Sequence, residues 1–534
     1  MIKITNLRVG IESKQDLVGL AARRLGISPA MIKSVQIIKK SIDARKKNNI
    51  CLVYALAVEA EQADRVLAKH AKDKDIAVFD MAEPQAVSYG QDAMHQRPIV
   101  VGAGPAGLLA AYMLAKHGYR PLVLERGKSV QARSIDVEAF WAGGQLDPES
   151  NVQFGEGGAG TFSDGKLTTR ITDPAMREIL ELLVECGAPT EILYKQKPHV
   201  GTDVLKTVVS NLSEKIRALG GAILFETRLD DIVIEQGALR AVCLSSGQRL
   251  ECSCMIMAVG HSARDTYKML RAHGVAMQNK NLAIGVRIEH TQDFINRMQY
   301  GELAGSPLLD VADYAVTFQD KQSARGAYSF CMCPGGMVVA SSSVAGCVVT
   351  NGMSLYKRDN YLANSALVVT VDERDFGSEV LAAMDFQERY ERAAFVAGGG
   401  DYYAPAQSVH SFLCGSEPDL AVSFQSSYRP GVRACDLRQV LPRTVTDTLQ
   451  RALNYFEQRM PGFAQDALLI GVETRTSAPV RIARDTDNRQ STNVQGIYPA
   501  GEGAGYAGGI ISAAVDGYNS AVVIMNRFGR RSDS

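Results

Sequence analysis

Three observations predict an α/β architecture in several domains. The chain has 534 residues, 46% of them hydrophobic, which is too long for one ordinary core, so two or three domains are expected. Residues 99–127, IVVGAGPAGLLAAYMLAKHGYRPLVLERG, join two apolar, β-branched runs through a Gly-rich turn and a helical pattern. Residues 496–529, GIYPAGEGAGYAGGIISAAVDGYNSAVVIMNRFG, give a short strand, a turn and a long helix. Such apolar runs suit strands buried on both faces of a parallel sheet.

The first eighty residues form their own unit. MIKITNLRVGI reads as a strand and KQDLVGLAARRLG as a helix. IKSVQIIKK and ICLVYALAV flank the polar turn SIDARKKNN. EQADRVLAKHAK reads as a second helix and IAVF as a last strand. The order β-α-β-β-α-β predicts a ferredoxin-like module over 1–80. Residues 81–96 read as a linker, because they are polar, lack helical periodicity and run into a Pro.

The stretch from Ile99 then reads as strand, helix, strand. Gly102 permits a tight turn, Gly104 lets backbone approach a pyrophosphate, and Gly107 lets helix and strand pack closely. Pro105 and Ala106 open the helix, and Gly118 ends it. A diphosphate fits its N-terminus, where free N–H groups and the helix dipole favour anions. Glu125 closes the second strand, placed to accept hydrogen bonds from a ribose diol, and Arg126 follows it. These features predict a Rossmann-like dinucleotide site. A second Gly-rich stretch, GTFSDGKLTT, places Gly160, Gly165 and Lys166 in the spacing of a phosphate-binding P-loop. Such a loop needs Ser or Thr after the Lys to hold Mg²⁺, and Leu167 stands there, so no ATP site is expected.

The C-terminal stretch YPAGEGAGYAGGIISAAVDG resembles the closing motif of the two-domain FAD oxidoreductases of the glutathione-reductase/hydroxybenzoate-hydroxylase type. That resemblance implies that Glu502, after Gly501, meets the ribityl chain. It also implies that the helix start at Gly508, Gly509 and Ile510 faces the pyrimidine edge of the flavin. The family usually carries Asp where Glu502 stands. Residues 220–263 read as alternating strands and turns ending in MIMAVG. They resemble the segment of the same family that ends in ATG, with Val259 replacing the Thr. The resemblance implies backbone contacts from Leu229 to adenine and an approach of Ala258, Val259 and Gly260 to the cofactor. FAD is therefore the expected cofactor. FGEGGAGTFSDGKL, FCMCPGG, NGMSLYKRDN and GVETRTSAPVRI extend the likeness to bacterial FAD-dependent (NAD(FAD)-utilising) dehydrogenases without a known substrate.

These blocks divide the rest of the chain. Residues 97–281 and 471–530 are expected to form the FAD-binding domain, and 282–470 an inserted mixed-sheet substrate domain. Within the insert, RGAYSFCMCPGGMVVASS reads as a hairpin walling the flavin cavity. Its Cys331 and Cys333, two apart, share one face of a strand; they read as core packing or as cavity-lining, redox-active thiols, not as metal ligands. CSC at 252–254 reads as a strand interior. Lys166 and Arg475 face either solvent or an anionic ligand, and the single Trp141 reads as packing. The eight His are scattered and give no catalytic dyad.

Formal net charge is zero, so nothing global points to nucleic acid or a membrane. The N-terminus lacks an apolar leader, no apolar run is long enough to span a bilayer, and ten Cys in so long a chain read as reduced thiols. A cytoplasmic location follows as the expectation. No second dinucleotide fingerprint occurs, so an NAD(P)H donor would bind only transiently. The expected function is a dehydrogenase or reductase that passes hydride through the flavin to or from a small organic substrate. Two alternatives stand beside it. One is an RNA-associated flavoprotein using the basic stretch around Lys39, Lys40, Arg45, Lys46 and Lys47, although no aromatic residues for base stacking accompany it. The other is a non-catalytic FAD-binding protein.

Overall fold

The computed structural model describes residues 1–11, 16–80 and 87–530. The first residues of the expected linker, 81–86, and the start of the first expected helix lie outside the described residues.

The N-terminal unit is a four-stranded antiparallel sheet. Its spatial order is Ile32–Asp43, Cys51–Ala60, Ile2–Gly10, Ile76–Val78. This is the ferredoxin-like arrangement. Helices Leu17–Leu25 and Ala63–Lys69 pack on it through Ala21, Leu25 and Val66 against Ile2, Ile4, Leu52 and Leu56. Asp16 caps the first helix by accepting from the N–H of Gly19. The unit is tied to the rest of the chain through backbone: Lys40 N–H donates to Tyr194 O at 2.7 Å, and Gln196 N–H to Lys40 O at 2.8 Å. Part of its basic charge is used internally, since Asp43 pairs with both Arg8 and Arg45.

The nucleotide half is a five-stranded parallel sheet ordered Ile497–Pro499, Met255–Met257, Ile99–Val101, Leu122–Leu124, Ala222–Leu224. Helices Pro105–Lys116, Thr202–Ala218 and Ile510–Arg527 share one apolar core with it. A three-stranded antiparallel meander, Leu229–Glu235, Ala238–Leu244 and Arg249–Glu251, sits beside the sheet. Cys252 and Cys254 lie in the link between Arg249–Glu251 and Met255–Met257 rather than inside a strand.

The inserted half is built on a seven-stranded sheet. Its order is Thr317–Asp320, Arg325–Cys333, Leu362–Val371, Leu282–Thr291, Leu468–Glu473, Ala404–Ser408, Val432–Ala434. Only the last pair is parallel, so the sheet is mixed. Leu468–Glu473 carries this sheet past residue 470, into the segment assigned from sequence to the nucleotide half. Helices Gln292–Tyr300, Ala382–Ala397 and Arg443–Arg459 cover it.

The expected hairpin at 325–340 is absent. Arg325–Cys333 pairs with Leu362–Val371, whereas Gly336–Ala340 leaves the large sheet and pairs with Thr350–Ser354. Two local features separate the strands. The register slips between Phe330 and Cys333, with Cys331 at φ +45°, and Gly335 gives its N–H to Gln292 Oε1 at 2.7 Å instead of across a hairpin.

Among the described residues, no helix is long and apolar enough to cross a membrane.

Candidate functional site

A cleft with a cavity volume of about 290 Å³ runs between the nucleotide sheet and the large sheet. The Gly-rich turn forms its floor. Gly102, at φ +100°, presents its open face to Ala258 O, which a Cβ would meet at 2.4 Å. A Cβ on Gly107 would sit 1.8 Å from Gly102 O, so helix and strand approach as closely as backbone allows. No side chain caps the helix at Gly104. Its first-turn N–H groups and their dipole are thus turned toward the cleft.

Glu125 is buried in the cleft wall. Its carboxylate accepts from the N–H of Ala103 at 2.7 Å and from those of Gly127 and Gly155 at 2.9 Å. The side chain therefore fastens three loops together around the floor. Arg126 extends over the Phe154 ring at 4.1 Å and is held by Glu149 at 2.9 Å and Asp265 at 3.0 Å.

One wall was missed from sequence. The loop from Gln153 to Lys166 lines the cleft through Phe154, Gly155, Gly158, Ala159 and Gly160. It is shaped by Arg133, fully buried on helix Val130–Trp141, which donates to the carbonyls of Asn151, Val152 and Glu156 at 2.7–2.8 Å. The run FGEGGAG was the available signal, since glycines this dense let backbone itself face a ligand.

At the other end lies the turn before the last helix. Gly501 N–H donates to Asp516 Oδ2 at 2.7 Å, and Asp516 is itself gripped by Arg484 and Arg489. A Cβ on Gly508, Gly509 or Gly260 would meet nothing within 4 Å, so bare backbone borders open cleft. The helix Ile510–Arg527 also starts without a side-chain cap. Two uncapped helix N-termini thus border one cavity. Glu502 is half-buried beside the second, and loss of water pushes its carboxyl up to about 7.

The large sheet supplies the roof through Phe330, Cys331 and Glu473, and the two-stranded sheet beside it adds Asn351. Glu473 accepts from Thr350 Oγ1 at 3.4 Å and from Arg287 Nη1 at 3.3 Å. Burial outweighs that cation and pushes its carboxyl up to about 7. Lys166 Nζ lies 2.8 Å from Asp164 Oδ2 and also donates to Met332 O. Arg475 lines the wall, but its nitrogens are engaged: Glu391 at 3.0–3.1 Å, Ser343 at 2.6 Å and Ser262 at 3.0 Å. Glu391, wholly buried between Arg475 and Arg264, is held down to about 2. Burial first, then those two arginines, pull the cleft-lining His261 down to about 3, so it stays neutral.

Of the residues singled out from sequence, Gly102, Gly104, Pro105, Ala106, Glu125, Arg126, Leu229, Ala258, Val259 and Gly260 border the cleft. So do Gly501, Glu502, Gly508, Gly509, Ile510, Lys166, Cys331 and Arg475. Gly107 serves packing below the floor. Cys333 does not reach the cleft; it is fully buried behind Cys331. Trp141 packs in the insert's core and donates to Ala340 O at 2.9 Å. Among the described residues, no group of three or more His, Cys, Asp or Glu is placed to hold a metal ion.

Comparison with known proteins agrees with this geometry. A model described as "FAD-dependent protein, C-terminal domain-like" matches residues 281–476, and a "NAD(P)-binding Rossmann-like domain" matches 100–152. A domain of unknown function matches 1–59. A Clostridium beijerinckii protein, named only as uncharacterized, is 46% identical over 530 residues, covering 99% of both chains. The chain belongs to the FAD-dependent oxidoreductase family. Like its family, it binds FAD. Protein FixC of Salmonella typhi is 28% identical over 194 residues, covering 35% of this chain and 42% of FixC. Thiamine thiazole synthase of Aeropyrum pernix is 28% identical over 185 residues, covering 32% and 57%. Among solved structures, the halogenase PltM aligns over 82% of this chain and 72% of its own at 11% identity, with a TM-score of 0.38.

Proposed function

We propose that this FAD-dependent oxidoreductase transfers hydride between the flavin and a small organic substrate held under the large sheet. The observation that carries the reading is the polarity of the cleft along its length. One end offers the Gly102–Gly107 turn and an uncapped helix for a diphosphate. The other offers Glu502, a second uncapped helix and a roof of Phe330, Cys331, Asn351 and Glu473.

In this reading Gly104, Pro105 and Ala106 bind the diphosphate. Glu125 holds the loops that receive the adenosine ribose and meets its hydroxyls. Arg126 and Leu229 flank the adenine, with Ala258, Val259 and Gly260 along the cofactor. Gly501 and Glu502 meet the ribityl chain, and Gly508, Gly509 and Ile510 the pyrimidine edge. The bound flavin supplies two-electron chemistry, and the second helix N-terminus stabilises negative charge at the pyrimidine edge on reduction. The roof strands exclude water from the face where substrate sits. Glu473, poised near neutrality beside Arg287, can give or take a proton there. NADH or NADPH, lacking a domain of its own, reaches the same face transiently.

The test is direct. Heat-released ligand identified by mass spectrometry should be FAD. Anaerobic spectra recorded against NADH, NADPH and a metabolite library should show the flavin bleaching or reoxidising with one compound class. Glu125→Ala removes a charged acceptor from three amides, each bond worth roughly 1.5–3 kcal/mol, and should weaken FAD retention about tenfold to a hundredfold. Flavin that no donor or metabolite reduces would overturn catalysis in favour of a binding protein.

A further inference from the structure

The roof contains a pair of sulfurs that hydride transfer does not use. Cys331 borders the cleft, and Cys333 is buried directly behind it. In a regular strand, residues two apart stand about 6.6 Å from each other, too far for a disulfide, whose Cβ atoms lie roughly 3.5–4.5 Å apart. Here the strand is not regular. Cys331 adopts φ +45°, the register slips between Phe330 and Cys333, and Cys333 Sγ comes to 3.3 Å from the carbonyl of Cys331 itself.

Two cations pin this kink. Arg287 Nη2 donates to Cys331 O at 2.7 Å, and Lys166 Nζ donates to Met332 O. Arg287 is fully buried, so its charge is little screened. The Cys333 thiol, hydrogen-bonded to Cys331, holds it below the usual thiol range, and the two cations add to that. The pair therefore has an outer sulfur that is exposed to ligand and easily ionised, and an inner sulfur that is sheltered and protonated.

We propose that Cys331 and Cys333 form a redox-active dithiol that exchanges electrons with the flavin, making small disulfides or thiols the substrate class. This rests on the reading above that the flavin ring lies at the Glu502 end of the cleft. In the oxidative direction the Cys331 thiolate and the Cys333 thiol join in an S–S bond. They give up two electrons and one proton, and oxidised flavin takes all three to become the reduced anion. In the reverse direction reduced flavin returns them and the S–S bond opens. Cys331, the sulfur at the cleft, then exchanges with a small disulfide from solution, and Cys333 resolves the mixed disulfide.

The experiment uses the full chain with its FAD, first oxidised with diamide and then freed of it. Anaerobic titration with dithionite should consume four electrons per FAD in the wild type and two in Cys331→Ser and Cys333→Ser. Peptide mapping of the oxidised wild type should show residues 331 and 333 linked, lighter by two hydrogens, while Cys252 and Cys254 alkylate as thiols after unfolding. Two electrons in the wild type would overturn the proposal, whether both thiols stay free or diamide links them. Peptide mapping needs neither variant nor flavin. An absence of FAD would thus sink the cofactor reading while leaving the sulfur pair to be judged: no link in the FAD-free chain overturns the pair, and a link supports its geometry.

Discussion

Cys252 and Cys254 stand between two short strands of the nucleotide half; Cys331 and Cys333 stand at the roof of the cleft in the inserted half. Both are C-x-C, and in each the second or first sulfur donates to a carbonyl two residues away at 3.3 Å. Their surroundings differ. Cys252 is buried among Ile99, Met255 and other apolar neighbours and Cys254 in the core that holds Ile256 and Tyr498, and burial pushes Cys252 up to about 12 and Cys254 higher. Cys331 is held down first by its hydrogen bond with Cys333, and Lys166 and Arg287 pull the same way. The comparison teaches that spacing sets only what two thiols can touch. Hydrogen bonding, charge and water decide whether either becomes a thiolate.

The comparison can be broken by a single alkylation experiment on folded protein near neutral pH. Cys331 should react more than about a hundredfold faster than Cys252 or Cys254, following its thiolate fraction, as read by mass spectrometry of quenched samples. Equal rates would end the distinction. A smaller effect follows from Lys166→Met. The groups facing Cys331 are Lys166 and Asp164 from the cleft loop, Arg287 and Glu473 from strands further across the large sheet, Glu502 from the last turn, and Cys333. Removing a cation disfavours the thiolate, so the midpoint of alkylation against pH should rise by about one unit, a tenfold loss below both midpoints. Lys166→Arg should restore most of it.

Glu473→Gln should act more gently. Glu473 ionises as pH rises through about 7, and its anion then opposes the nearby thiolate. The wild-type profile should therefore show a shoulder there, and the variant should lose it, with a change of about threefold or less in rate above that pH. Least of all, Cys252→Ala and Cys254→Ala should each lower stability by about 1 kcal/mol, measured by urea unfolding, and leave FAD content and Cys331 alkylation unchanged.

What was legible in the sequence was chemistry confined to one stretch. The turn at Gly102–Gly107 with Glu125, and the turn at Gly501–Gly509, each carry strand, loop and helix in order, so pattern alone located them. The ferredoxin-like order of the first eighty residues was legible for the same reason. What escaped depends on partners far apart in the chain. The Pro-Gly-Gly segment looks like a hairpin locally, yet each of its strands finds a different partner, Leu362–Val371 or Thr350–Ser354. Arg287 carries no motif, and the stretches NGMSLYKRDN and GVETRTSAPVRI gave Asn351 and Glu473 no role; only the fold brings the three to Cys331. Glu125 was read for a ribose, and its three backbone amides were invisible because Gly155 lies on a loop whose path is set by Arg133.

The last helix has a consequence for how the protein is made. A Cβ on Gly517 would meet Ala106 O at 1.9 Å, so the helix that closes the cleft lies flush against the one that opens it, though they come from opposite ends of the sequence. Domains generally fold as synthesis delivers them, N-terminal units first. Here the dinucleotide turn must wait for its lid until a helix about 400 residues further along the chain, Ile510–Arg527, has been made. The cleft is thus completed late, by pieces far apart in sequence.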